Sequence, residues 1–599
     1  DFEQLKGISA VHSAMVAVSL AVTCRKRCYD RSMVPVPKTQ RLGWQLSLLV
    51  LYVLLIPFVW LLPALLAGQG FDVMPLLPVR NFADTGLFSL TDDLGRYLNA
   101  ALLPSLGVTS TMDGRLSTVL LAQFARFIPW SDLVGWTAVA SAILAVSLIP
   151  WWFSVLKLSS PATAWCSTVL LSFLPLFWRQ AVWTDFYAFA FFFLFLSIAL
   201  YLWIRGHSEK LALVLAGLSF GACVASRDAF LIFLPWISLG YVLFRLPNWK
   251  KALGGIFLFL FCTGVVYILP YTGDIRSQGY PTNHNLALLW PGEQNIQEGF
   301  YLHLYPDPYT YLFNRAAHDE SLVAAYADMS FLEKLQQQKI FINFDVGSPS
   351  FGMKVLNGFW LFAGSIPPFF QLQTLGGLAF WLFVLPGTAV LWKRNRNMLL
   401  FLLGLIFFSE FLMRFVMHYA RDHTMDYGWM FAFFAAVGVV AVAKSLHEQL
   451  RLSSRTVAII LMTVMLSVHL IQVNRVLFGQ RYRRSTVPEV MAMAEGVNTL
   501  GENAVVALAM GGVRVEQLAQ LTDAVLVPFH PTTVARLVQQ GSLRDVFTRY
   551  GITHVLGYEG AQVAQMRQQD PLLREVPVPP PLPRVSSSNL QVFLLHLIR

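Results

Sequence analysis

The sequence predicts a polytopic α-helical membrane protein with about eleven transmembrane helices and a small C-terminal extracytoplasmic α/β domain. Three observations carry this reading. Of 599 residues, 56% are apolar and only 13% charged, where a soluble chain of this size carries about 25% charged residues. Apolar runs of about 18–22 residues recur up to about residue 475, the length that crosses a hydrocarbon core of ~30 Å at ~1.5 Å per residue. Lys and Arg collect in alternate short loops.

The spans read at 43–67, 132–156, 161–177, 185–204, 211–226, 229–245, 252–270, 376–392, 398–418, 427–444 and 456–474. Segment 8–23 is shorter and holds His12 and three serines. It is an interfacial helix or an extra span, and it lacks the small-residue cleavage site of a signal peptide. With the basic stretch 25–41 in the cytoplasm, the same side receives Lys157, Arg205, Lys210, Arg245, Lys250, Lys251, Lys393, Arg394, Arg396, Lys444, Arg451 and Arg455. The loops therefore agree on one orientation. They also account for the net charge of +10 without nucleic acid as a partner. The expected organisation is a cytoplasmic or interfacial segment 1–42, a transmembrane domain 43–474 with outer loops 68–131 and 271–375, and an outer domain 475–599. Within loop 271–375, the apolar, proline-broken stretch 355–370 is expected to lie along the membrane. The five cysteines form no pair of CxxC units, so neither a metal centre nor a disulfide framework is expected. No cofactor is expected, and a divalent cation is left open.

The tail alternates strand and helix. AVVALA (504–509), AVLVPF (524–529) and ITHVLGY (552–558) read as strands, with helices over 513–521 and 532–550. The proline run 576–583 is an extended connector, and LQVFLLHLI (590–598) closes the sheet as an edge strand. Gly511-Gly512 lacks the full GxGxxG and reads as a plain strand-to-helix turn.

Ionisable residues in or beside spans are costly, which makes them functional candidates. Asp72 follows the first strong span, with Asp84, Asp92 and Asp93 in the same loop. A carboxylate partly desolvated at the membrane surface can act as a general base, and a helix cap is the plain alternative. Asp185 opens the fourth span close to Arg179. Ser226-Arg227-Asp228 occupies the turn between two spans, where Arg227 either holds a phosphate or pairs with a neighbouring helix. Glu410 and Arg414 share a helix face at i,i+4 and can neutralise each other. His418, Arg421, Asp422, His423 and Asp426 follow in HYARDHTMDY, at the level where an anionic lipid headgroup lies.

Four stretches resemble the GT-C superfamily of membrane glycosyltransferases, most closely the branch with bacterial relatives of protein mannosyltransferases and lipid A aminoarabinose transferases. They are FDVMPLLPVRNFADTGLFS (71–89), GRLSTVLLAQF (114–124), the acid Asp185 opening the fourth span, and the Ala225-Ser226-Arg227 turn ending the fifth. The resemblance implies an inverting transfer of a sugar from a polyprenyl-phosphate donor to a protein, lipid or glycan acceptor. It implies Asp72 as the base, with Asp185, Asp84 or one of Asp92 and Asp93 as the second acid, Arg227, Arg414 or Arg421 on the donor phosphate, and Asp84, Asp92, Asp93, Glu410, His418 and His423 as candidates for accessory places. The architecture fits a bacterial inner membrane with the site on the periplasmic side, and a eukaryotic organelle membrane with a lumenal site would look similar. Val73 stands where many relatives have a second acid. Three other readings compete: a glycan polymerase or ligase, for which HYARDHTMDY is the cue, a secondary transporter, and a non-catalytic assembly subunit. No internal repeat is visible, which weighs against a transporter.

Overall fold

The computed structural model describes residues 39–66, 115–129, 132–182, 187–245, 248–278, 377–416, 426–477 and 487–501, and in the tail the strand residues between 504 and 597 with a few positions beside them. Helices α1 (Thr39–Leu66) and α2 (Arg115–Ala122) are followed by α3 (Leu133–Leu158), α4 (Pro161–Phe173), α5 (Pro175–Val182), α6 (Tyr187–Ile204), α7 (Glu209–Ser226), α8 (Phe233–Leu243) and α9 (Trp249–Ile268). Then come α10 (Thr272–Gln278), α11 (Gly377–Arg394), α12 (Arg396–Val416), α13 (Gly428–Leu450), α14 (Ser454–Leu477) and α15 (Val487–Asn498).

Among the described residues, helix occupies most of each of the eleven predicted stretches. Six of these helices, α1, α3, α6, α7, α9 and α13, are long and apolar enough to cross a membrane, and the bent pair α4–α5 makes a seventh if the two are one span. The other four stretches, in α8, α11, α12 and α14, are shorter in their apolar part or carry charge. The distribution of side chains is that of a chain solvated by lipid. Leu54 and Phe58 on α1, Phe257 and Phe261 on α9, and Ile459 and Val464 on α14 are exposed, while Ser117, Ser141, Ser154, Ser167 and Thr168 are buried. The protein is a polytopic helical membrane protein.

Local chemistry sets the helix ends. Asp132 caps α3 by accepting the Gly135 N–H at 2.9 Å. Ser160 caps α4, with Pro161 in its first turn, and Ser208, Asn395 and Ser453 accept from the first turns of α7, α12 and α14. Each supplies a partner to an N–H that the helix itself leaves unsatisfied. The stretch 161–177, predicted as one span, is two helices bent by 61° at Leu174-Pro175. Proline donates no N–H and pushes the preceding residue out of the helical region, and Leu174 has ψ 131.

Two kinds of contact hold the bundle. The first is glycine-mediated approach of backbones, the usual solution where lipid supplies no driving force between apolar helices. Gly217 and Gly221 on α7 face α9 so closely that a Cβ would lie 2.6 Å from the Phe259 and Thr263 carbonyl oxygens. Gly387 on α11 and Gly438 on α13 meet more tightly, with a Cβ 1.8 Å from the Phe434 oxygen and 1.9 Å from the Phe383 oxygen. The second is tryptophan. The indole N–H of Trp60 donates to the Ser172 carbonyl at 2.9 Å, and that of Trp178 donates to the Trp60 carbonyl at 3.1 Å. These bonds fasten α1 to the α4–α5 break. Trp236 donates to Phe401 O at 2.8 Å and stacks on Phe408, fixing α8 against α12.

The tail contains a five-stranded sheet in the order β2-β1-β3-β5-β4, from β1 (Val505–Ala509), β2 (Val525–Pro528), β3 (His554–Tyr558), β4 (Leu573–Glu575) and β5 (Val592–Leu597). β1 pairs in parallel with β2 and β3, while β5 runs antiparallel between β3 and β4. The final strand is therefore interior. β4, which was not predicted, takes the edge; at three residues it is too short to stand out in an alternation pattern. The predicted helices 513–521 and 532–550 lie outside the described residues, apart from helical positions at 544, 547 and 548. So does the stretch 355–370.

Gly438→Ala is expected to force α11 and α13 apart at a cost of about 1–3 kcal/mol. This is read as a lower thermal midpoint of the purified protein in detergent. Gly254→Ala, with nothing within 4 Å of a new Cβ, should leave the midpoint unchanged or slightly raised.

Candidate functional site

At the end of α7 the chain turns through Arg227 into a 3-10 turn, Asp228–Ile232. Arg227 is extended (φ −158, ψ 111), which carries its side chain off the helix axis. Its guanidinium lies over the Tyr187 ring at 4.2 Å from the centroid, at the first residue of α6. Stacking fixes the plane of the guanidinium, whose fork of donors suits a phosphate or carboxylate. Asp228 is buried and accepts a hydrogen bond from the Tyr267 hydroxyl at 2.7 Å. The turn thus contacts two neighbouring helices, α6 through Arg227 and α9 through Asp228.

A second arginine belongs to the same cluster. Arg115, the first residue of α2, is fully buried. It lies over the Tyr271 ring at 4.4 Å and donates to the Pro270 carbonyl at 3.3 Å. Two residues on, the Ser117 hydroxyl donates to the Ser226 carbonyl at 3.3 Å. α2 is therefore docked on the end of α7, although its residues fall in the predicted outer loop 68–131. Tyr267 and Tyr271 meet edge to face at 6.2 Å, which joins the two arginine–tyrosine pairs through the end of α9.

An acidic group stands at the same end of the bundle. Glu410 is buried on α12, and its carboxylate accepts from the Tyr427 hydroxyl. The sequence offered Arg414 as its neighbour; Arg414 belongs to the last turn of α12. Asp426 is fully buried, and its backbone carbonyl accepts from the Trp429 indole at 2.8 Å. α12 also packs against the 3-10 turn that holds Asp228. Two arginines, three carboxylates and four phenols thus gather at the end of the helices opposite the basic turns. The arrangement can hold an anion on the arginines and keep carboxylates desolvated beside it, the setting in which a carboxylate serves as acid or base. Among the described residues no group of three His, Cys, Asp or Glu side chains is placed to hold a metal ion.

Of the sequence-predicted residues, Arg227 and Glu410 are in these clusters. Asp72, Asp84, Asp92, Asp93, Asp185, His418, Arg421 and His423 lie outside the described residues. The sequence reading did not assign a role to Arg115, Tyr187, Asp228, Tyr267, Tyr271, Asp426 or Tyr427. Arg115 was already visible in GRLSTVLLAQF, and the tyrosines all sit at helix ends, where a phenol can reach a charge.

Neither a protein-family model nor a curated protein matches the chain. Solved structures do. The oligosaccharyltransferase AglB of Archaeoglobus fulgidus in its apo form aligns over 90% of this chain and 73% of its own, at 13% identity and a TM-score of 0.53. ArnT of Cupriavidus metallidurans in the apo state aligns over 94% of this chain and 99% of its own, at 10% identity and a TM-score of 0.51. The chain shares the fold of these two proteins. ArnT bound to undecaprenyl phosphate aligns similarly, at 12% identity and a TM-score of 0.50, and AglB has also been solved with an inhibitory peptide and a dolichol-phosphate. In its zinc and sulfate complex, 64% of the AglB chain is spanned. In this fold the arginine–tyrosine pairs lie where α2, α6, α7 and α9 converge.

Tyr267→Phe removes the hydroxyl from buried Asp228 and is expected to destabilise the protein by about 1.5–3 kcal/mol, seen as a lower thermal midpoint in detergent. Tyr241→Phe, at the opposite end, where the hydroxyl donates to Glu209, tests whether the effect belongs to this cluster.

Proposed function

We propose that the protein is an inverting glycosyltransferase that moves a sugar from a polyprenyl-phosphate donor to an acceptor at the membrane face opposite the basic turns. The observation that carries this reading is Arg227, stacked on Tyr187 beside buried Asp228, inside a fold whose solved neighbours hold undecaprenyl phosphate and dolichol-phosphate. A planar cation at a helix end, facing the headgroup level of a bilayer, suits a lipid phosphate. A phosphate leaving from an anomeric carbon needs that kind of charge stabilisation.

In the proposed reaction Asp72 accepts the proton of the acceptor hydroxyl as its oxygen bonds to the anomeric carbon. The bond from that carbon to the phosphate oxygen breaks on the opposite face, and the stereocentre inverts. Arg227 meets the developing phosphate charge, with Arg414 and Arg421 as further cations. Asp185 is the second acid. Asp84, Asp92, Asp93, Glu410, His418 and His423 hold accessory places, and no cofactor is required beyond an optional divalent cation. The reading includes eleven spans, a bacterial inner membrane with a periplasmic site, and the tail 475–599 on that side, close to a protein, lipid or glycan acceptor.

Asp72→Asn is expected to lower transfer about 10²–10⁴-fold, and Arg227→Ala to weaken it comparably. Both should leave expression and thermal midpoint near wild type. The assay follows release of polyprenyl phosphate from polyprenyl-phosphate sugars by purified protein with membrane extract as acceptor. Undiminished turnover in Asp72→Asn overturns the base assignment.

A further inference from the structure

The end of the bundle opposite the arginine–tyrosine cluster holds a different feature. Trp381 on α11 meets Phe431 on α13 at 5.3 Å, and further along Gly387 meets Gly438. The two helices therefore run the same way, and their final turns emerge side by side. Lys393 and Arg394 close α11, Arg396 opens α12 after a single intervening residue, and Lys444 lies in the corresponding stretch of α13. Arg451 and Arg455 flank the turn into α14. All six are exposed, and among the described residues none of the six has an ion-pair partner. The acid in these two turns is Glu448. By contrast, Arg245 on the same face is paired with Glu209.

Two details set this patch apart from a bare excess of positive charge. The Arg396 guanidinium lies over the Trp392 ring at 4.2 Å, so it is held in place before any ligand arrives, and Trp392 is itself 45% exposed. Tryptophan with exposed Leu450 and Leu452 marks the boundary between headgroups and acyl chains. Arg451 ends α13 in the left-handed conformation (φ 52), a place that favours glycine. A long cationic side chain stands there against the backbone preference.

We propose that the α11–α12 and α13–α14 turns form a binding site for the headgroup of an anionic phospholipid, with the phosphodiester on Lys393, Arg394 and Arg396 and the acyl chains against the apolar surface beside Trp392. Basic pockets between helix ends, at the depth of the headgroups, recognise such lipids. The proposal is independent of the transfer reaction. It also differs from a topology signal, which acts during insertion: a bound headgroup requires these charges in the finished protein.

The test uses the full chain purified in neutral detergent, where membrane orientation has no influence. Native mass spectrometry compares binding of phosphatidylglycerol and phosphatidylcholine with identical chains, and the thermal midpoint is followed in parallel. Phosphatidylglycerol should bind at least tenfold more tightly and raise the midpoint. The triple variant K393Q/R394Q/R396Q should weaken that binding about hundredfold while keeping the wild-type midpoint without lipid. K250Q/K251Q, elsewhere on the same face, should retain it. Raising salt from roughly 0.05 to 0.5 M should weaken phosphatidylglycerol binding to the wild type by at least tenfold, a readout that needs no variant. Equal binding of the two lipids, a triple variant that keeps its preference, or inorganic polyphosphate binding as tightly as the lipid would each overturn the assignment.

Discussion

Hydrocarbon offers no hydrogen bond, so every polar group inside the bilayer must find its partner within the protein. Much of the described structure follows from that constraint. Buried tryptophans Trp60, Trp178, Trp236 and Trp429 each direct the indole N–H to a backbone carbonyl. The break at Leu174-Pro175 is tolerated because it is buried in protein: Ser172, just before it, has its carbonyl taken by Trp60. A helix interruption that would be costly against lipid becomes a junction between α1, α4 and α5.

The same constraint explains how charge enters the bundle. Arg115 and Arg227 are each laid on a tyrosine ring, and the acids Asp228 and Glu410 each accept from a tyrosine hydroxyl. An aromatic ring can accompany a cation into an apolar region, and a phenol can accompany an anion, without adding net charge. Using one residue type for both tasks gathers groups of opposite sign at one end of the helices. At the other end the cations are exposed, rest on Trp203, Tyr201, Trp249 and Trp392, and face the headgroup level. The molecule is therefore polarised along the membrane normal: a desolvated, mixed-charge cluster at one end and an exposed basic rim at the other.

The packing of α11 on α13 links these two ends. Gly387 and Gly438 bring the backbones into contact near the middle of both helices, which sets Asp426 and Tyr427 before the start of α13 relative to α12 at one end, and the basic turns side by side at the other. A side chain at either glycine would alter both.

The sequence by itself determined the class of protein, the position of its helices and the face on which its cations lie, because hydropathy, span length and loop charge are local properties read along the chain. It also marked Arg227 and Glu410, since a charge inside an apolar run is visible without a fold. Tertiary structure alone decided their partners. Tyr187 lies forty residues before Arg227 in the chain, Tyr267 thirty-nine residues after Asp228, and Arg115 finds Tyr271 across 156 residues; no periodicity spans such separations. Tertiary structure also bent the chain between α4 and α5 and placed the last strand inside the sheet, because strand order depends on pairing between segments distant in the chain. Local chemistry wrote the elements, and the need to satisfy buried polar groups across the bundle chose their neighbours.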